Sequence, residues 1–159
     1  MGAWGYGSFE NDDALDWVGD LTDGRSLKPV EAALDAALGA EADFGISGEA
    51  ECGSAAAEVV AALGGAPSGD LPEEIAEWIA TRPWERRGLL SRLTGKGGGG
   101  QSDRPPREVF GPLVAKAQRV VERVMQDEGV RSRFLDEAGV AEWERHARDL
   151  AARLGRCAS

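Results

Sequence analysis

Four aspartates, Asp12, Asp13, Asp16 and Asp20, fall within nine residues near the start of the chain. At about 100° per residue of helix, Asp12, Asp16 and Asp20 line one side, with Asp13 beside them. Carboxylates gathered this way offer the oxygen ligands that a hard divalent cation prefers. Glu58, Glu73 and Glu74 are the carboxylates that another element can add. A metal-dependent hydrolase using Asp12, Asp13, Asp16 and Glu58 is therefore one reading. The plainer reading is helix capping and a solvated acidic face, because successive positions of one helix seldom converge on a single ion. A third makes the same face a contact surface for another protein.

Other chemistry is sparse. His146 is the only histidine and sits at the flank of an apolar stripe, a boundary position more often than that of a general base. Cys52 lies on an apolar helical face and reads as a core residue. Cys52 and Cys157 are the only cysteines, too few for a disulfide framework and wrongly spaced for zinc. No nucleophile elbow, phosphate loop or zinc motif is present. The run "GKGGGG" lacks the Lys-Ser/Thr ending of a phosphate loop and follows no strand. Neither a metal nor a cofactor is expected. Arg82, Arg86, Arg87, Arg92 and Lys96, with Trp84 among them, form a small basic patch, read first as a flexible insertion that offsets the acidic half of the molecule.

The net charge of −10 is unevenly spread. Residues 1–81 carry −15, residues 82–123 carry +6 and the remainder −1. So acidic a surface repels phosphates, which excludes non-specific nucleic-acid binding. No run approaches the roughly 18 apolar residues of a membrane span. The opening has no basic segment leading into an apolar run, so no secretory leader is expected. With 159 residues, 42% hydrophobic and 29% charged, the chain reads as one globular domain of the cytoplasm with reduced thiols.

Apolar periodicity supplies the elements. The opening "MGAWGYGSFENDDALDW" begins irregularly, with Gly2, Gly5 and Gly7 as turn residues. Asn11 or Asp12 then caps a helix whose stripe is Ala14, Trp17, Val18 and Leu21. Helices follow over about Leu27 to Gly39, Gly48 to Leu63 and Pro72 to Pro83. After Pro106 comes a longer helix, bent at Gly111-Pro112. A short helix around Ser132 to Ala138 stops at Gly139, and a last one carries Val140, Trp143, Ala147, Leu150, Ala151 and Leu154. Residues 84–104, with the glycine run Gly97 to Gly100, read as a flexible basic insertion within the domain. The expected fold is an all-α single-domain bundle of about six or seven helices, spanning 1–159, with an irregular glycine/aromatic start. Trp4, Tyr6 and Phe9 are expected to be buried as a plug, their glycines letting the backbone lie close to the helices.

The sequence also resembles an uncharacterised bacterial family, the domain of unknown function 4259. Trp4, Gly5, Gly7, Phe9, Asn11, Asp12, Asp13, Ala14, Asp16 and Trp17 match its opening motif. "AAAEVVAAL" at 55–63, "LPEEIAEW" at 71–78, "AQRVVERVM" at 117–125 and the helix from Trp143 to Leu154 continue the match, which covers nearly the whole chain. The basic stretch from about Trp84 to Arg104 departs from the pattern and looks like an insertion. The resemblance implies fold and domain extent and offers no activity.

The reading that best fits these features is a non-enzymatic cytoplasmic module, immunity- or antitoxin-like. It meets a protein with a basic surface through Asp12, Asp13, Asp16 and Asp20, and neither nucleic acid nor membrane. Trp4, Gly5, Gly7, Phe9, Asn11 and Trp17 are structural in this reading. The metal-dependent hydrolase is the alternative, and a subunit that self-assembles by pairing its acidic half with its basic insertion is a third. The oligomeric state is left open by the sequence.

Overall fold

Short polar side chains cap the starts of several helices. In the computed structural model, which describes residues 5–39, 48–85, 103–134 and 136–158, Asn11 is the first such cap. Its side-chain oxygen accepts from the Ala14 amide at 2.7 Å, satisfying a donor that a helix start leaves free. Helix α1 (Asp12–Asp23) buries Ala14, Val18 and Leu21 and ends at Gly24. Helix α2 (Lys28–Gly39) buries Val30, Ala33, Leu34 and Ala37.

Helix α3 (Glu49–Leu63) is buried along nearly its whole circumference, from Ala50 and Gly53 to Val60 and Leu63. An all-round apolar helix belongs at the centre of a core, and α3 packs against α2, α1 and the helices that follow. Its small residues permit this. A Cβ on Gly53 would lie 2.6 Å from the Cβ of Ala37 and 3.1 Å from Val120 Cγ1, so this glycine lets three helices meet. At its N-terminus Gly48 takes φ 75°, a left-handed conformation that glycine adopts without strain.

Helix α4 (Glu73–Ala80) starts after Pro72 and buries Ile75 and Trp78. The Trp78 Nε1–H donates to the Gly24 carbonyl at 2.8 Å, tying α4 to the end of α1. Helix α5 (Arg107–Gln126) runs through Pro112 and turns Leu113, Val114, Ala117, Val120, Val121 and Val124 inward. Arg123 reaches across to α2, donating to the carbonyls of Ala37 and Leu38 at 3.0 and 2.7 Å. The arginine thereby ties α5 to the last turn of α2.

The two remaining helices correct the sequence reading. The short helix lies at Glu128–Arg131 (α6), and the last one at Glu137–Cys157 (α7), already begun where a stop at Gly139 was expected. The reason is capping. The Asp127 carboxylate accepts from the Val130 amide at 2.9 Å, and the Asp136 carboxylate from the Gly139 amide at 2.7 Å. Gly139 is therefore a first-turn residue held by its cap, not a terminator. Among the described residues the chain is an all-α bundle of seven helices without a β-strand, and none of them is long and apolar enough to cross a membrane.

The basic stretch is described at its ends alone. Arg82 pairs with Asp103 at 2.9 Å, which joins the two flanks. Trp84 packs partly buried against the core. Arg86, Arg87, Arg92, Lys96 and the glycine run lie outside the described residues, as do Met1 to Trp4. The expectation that Trp4 is a core residue therefore falls outside them as well.

Candidate functional site

The residues before α1 form a loop that closes on itself. Glu10 folds back and its carboxylate accepts from the Gly7 amide at 2.7 Å. A side chain at Gly5 would meet that carboxylate, not a helix backbone, which corrects the expected role of the glycines. They make room for Glu10. Phe9 and Trp17 pack partly buried against the core. Tyr6 departs from the expected plug, being 41% exposed. Its ring stands 5.7 Å from that of Phe134, which lies 5.5 Å from the ring of Trp143. The phenol gives Tyr6 a polar end that can remain at the surface while the ring packs.

A buried ion pair holds this end of the molecule together. Arg153 of α7 clasps Glu58 of α3 through both oxygens, at 2.7 and 2.9 Å, with both side chains less than 8% exposed. Arg153 also donates to Asp149 at 2.7 Å and to the Ala66 carbonyl at 3.3 Å, and Ser8 donates to Glu58 at 3.5 Å. Burial by itself disfavours the arginine's charge, but the Glu58 and Asp149 carboxylates outweigh it and raise the pKa above the ordinary value. Arg153 is not among the residues that the sequence points to, and Glu58 is expected there beside the aspartates as a metal ligand. The structure commits Glu58 to Arg153 instead. The available signal was an acid inside the otherwise apolar "AAAEVVAAL", which needs a buried counter-ion.

The four aspartates are all exposed, on the side of α1 away from Ala14 and Val18. They do not act alike. The Asp13 carboxylate lies against Gly48, 2.9 Å from where a Cβ would stand, at the positive end of α3. Asp12 borders a cleft, described below, whereas Asp16 and Asp20 face outward beyond it. Leu15, 40% exposed, lies to one side of the strip of Asp12, Asp16 and Asp20, about 60° round the helix from Asp12. No basic side chain among the described residues forms an ion pair with Asp12, Asp16 or Asp20. By contrast, Glu31 and Asp35 on α2 share Lys116 at 2.9 and 2.8 Å, and their hydrogen bonds raise its pKa.

Cys52 is half-buried, which corrects its reading as a core residue, and its thiol donates to the Asp13 carbonyl at 3.6 Å. Burial pushes this thiol up to about 11, with the Asp13 and Asp16 charges adding to the rise. The proton is then held until the pH approaches that value. At pH 8, Cys52 should be alkylated by iodoacetamide roughly a hundredfold more slowly than a free cysteine, as its thiolate fraction dictates. The rate should climb steeply above pH 10, and D13N/D16N should raise it at pH 8, as mass spectrometry would record. Alkylation as fast as that of free cysteine would contradict the placement of Cys52.

A cleft of about 940 Å³ opens between the initial loop, α3, α5, α6 and α7. Four carboxylates on its lining, from Asp12, Asp13, Glu51 and Asp136, stand against one arginine, Arg133, and His146. Glu51 pairs with Arg133 through one oxygen, while the other is buried without a hydrogen-bond partner. His146 lies 3.6 Å from Glu142 and is 43% exposed. Among the described residues no hydroxyl or thiol is hydrogen-bonded to it, and no three His, Cys, Asp or Glu side chains are gathered to hold a metal ion.

The family model described as a domain of unknown function (DUF4259) matches residues 2–146, and the chain belongs to that family. No curated protein and no solved structure matches it.

Proposed function

We propose that this member of the DUF4259 family is a non-catalytic module that binds another protein through the outer face of α1. The observation that carries the reading is the trio Asp12, Asp16 and Asp20, exposed along one strip of α1 and without basic partners among the described residues. Exposed charge of one sign along a helix face is complementary to a basic partner surface. The partner presents a basic surface, in the manner of the target of an immunity or antitoxin protein. Asp13 contributes to the same negative field while also serving the start of α3. We place the module in the cytoplasm, a reading supported by its two free cysteines.

Affinity capture from the native host tests this with two baits, wild type and D16K/D20K. A basic protein retained by wild type and lost from the double variant is the expected outcome. Equal retention by both baits would remove α1 from the contact. The alternative of a metal-dependent hydrolase gains no support from Glu58, whose two oxygens are taken by Arg153.

A further inference from the structure

The initial loop brings the chain to the wall of the cleft. Gly5, Tyr6 and Gly7 belong to its lining, together with Phe134, Trp143 and Ala147. Two contacts fix the backbone that runs back to Gly5. The Glu10 carboxylate accepts from the Gly7 amide at 2.7 Å, and the Ser8 hydroxyl donates to Glu58 at 3.5 Å.

The wall carries open apolar surface. Tyr6 is 41% exposed, and Phe134, its ring 5.7 Å away, is only partly buried, as is Ala147. Beneath them Val124, Val130 and Leu150 are closed off in the core, so the accessible surface is mainly that of the two rings. Aromatic surface standing open along a cleft of about 940 Å³ marks a place that something covers.

The position of Gly5 singles out an occupant. The residue before it is Trp4, and consecutive Cα atoms are about 3.8 Å apart, so this indole is tethered at the wall itself. An indole buries roughly 150–250 Å² of surface and favours tilted contacts with other rings, the relation that Tyr6, Phe134 and Trp143 already have to one another. A tethered group also acts at a high effective concentration, an advantage that no free ligand shares. The volume holds the indole together with Met1, Gly2 and Ala3.

We propose that the cleft is the seat of this chain's own Trp4, whose indole covers the rings of Tyr6 and Phe134. The inference stands apart from the reading of α1. Asp16 and Asp20 are not part of the lining, so a filled cleft leaves the outer face of that helix free.

The test reads the full wild-type chain by NMR, with the Trp4 indole signals assigned by their loss in Trp4→Phe. Nuclear Overhauser contacts are expected from this indole to the rings of Tyr6 and Phe134 and to the Ala147 methyl. Free indole is the second probe. It should bind Trp4→Ala saturably below about 10 mM, the range of a single weak contact, and at least tenfold more weakly to wild type, whose cleft is filled. A Trp4 indole without those contacts would overturn the proposal, and this reading does not depend on the alanine variant folding. Equal binding of indole to wild type and Trp4→Ala would also overturn it, leaving the cleft open to a foreign ligand. Contacts found only between differently labelled chains in a mixed sample would do the same, assigning the seat to a second copy.

Discussion

Replacing Arg153 with methionine should lower the unfolding free energy by about 3–5 kcal/mol, the usual consequence of stranding a buried charge. The stranded group is Glu58, enclosed between α3 and α7 and reached from the initial loop by the Ser8 hydroxyl. Glu58→Leu in the same background removes the orphan and should recover most of the loss, since an apolar pair of similar volume often replaces a buried ion pair at little cost. Urea titrations of the two single variants and the double variant give the coupling directly. Single variants within about 1 kcal/mol of wild type would mean that water or rearrangement satisfies Glu58. The expected pattern has a functional side. The pair anchors the loop that carries Tyr6, so a loosened pair should also broaden the NMR signals of that ring.

Truncating Trp78 should have an effect of similar size. Its indole is 3% exposed, and its Nε1–H reaches the Gly24 carbonyl at the end of α1. Trp78→Ala loses a large buried volume and that bond together, for about 3–5 kcal/mol. Trp78→Phe keeps most of the volume and leaves the carbonyl unpaired, so it should cost about 1–2 kcal/mol. The difference between the two separates packing from hydrogen bonding. Because α1 ends at this contact, the alanine variant should also raise amide exchange through Leu21 to Asp23. Equal exchange in wild type and variant would show that α1 is held by its buried face alone.

The all-α fold was legible because apolar spacing and caps agree along most of the chain. Ala14, Val18 and Leu21 show it on α1, and Leu113, Ala117, Val120 and Val124 on α5. The region after α5 was misplaced because two caps, Asp127 and Asp136, look like any other surface acids in sequence. A cap is recognised by the amide it faces, which is a matter of three dimensions. The ion pair was hidden for a related reason. Glu58 and Arg153 are 95 residues apart, and each alone resembles a solvated charge on a helix. Arg153 directly precedes Leu154 on the inner stripe of α7, a position where a charge asks for a partner. The outward direction of Asp12, Asp16 and Asp20 was readable from the 3.6-residue period. The engagement of Asp13 with Gly48 was not, since it depends on how α3 approaches α1.

The central claim is that the unpaired carboxylates of α1 draw in a basic protein. The most direct measurement is the association rate of the captured partner with wild type and with D16K/D20K, followed by stopped-flow as salt is raised. Both positions are exposed and lie beyond the cap, so the variant should keep its helix content. Steering by such charges fades as the screening length falls from about 10 Å at 0.1 M salt to about 3 Å at 1 M. The wild-type rate should therefore drop steeply with salt, and the double reversal should slow association at least about tenfold at low salt and converge on wild type at high salt. A rate that neither the reversal nor the salt alters would contradict the assignment of this face to the partner.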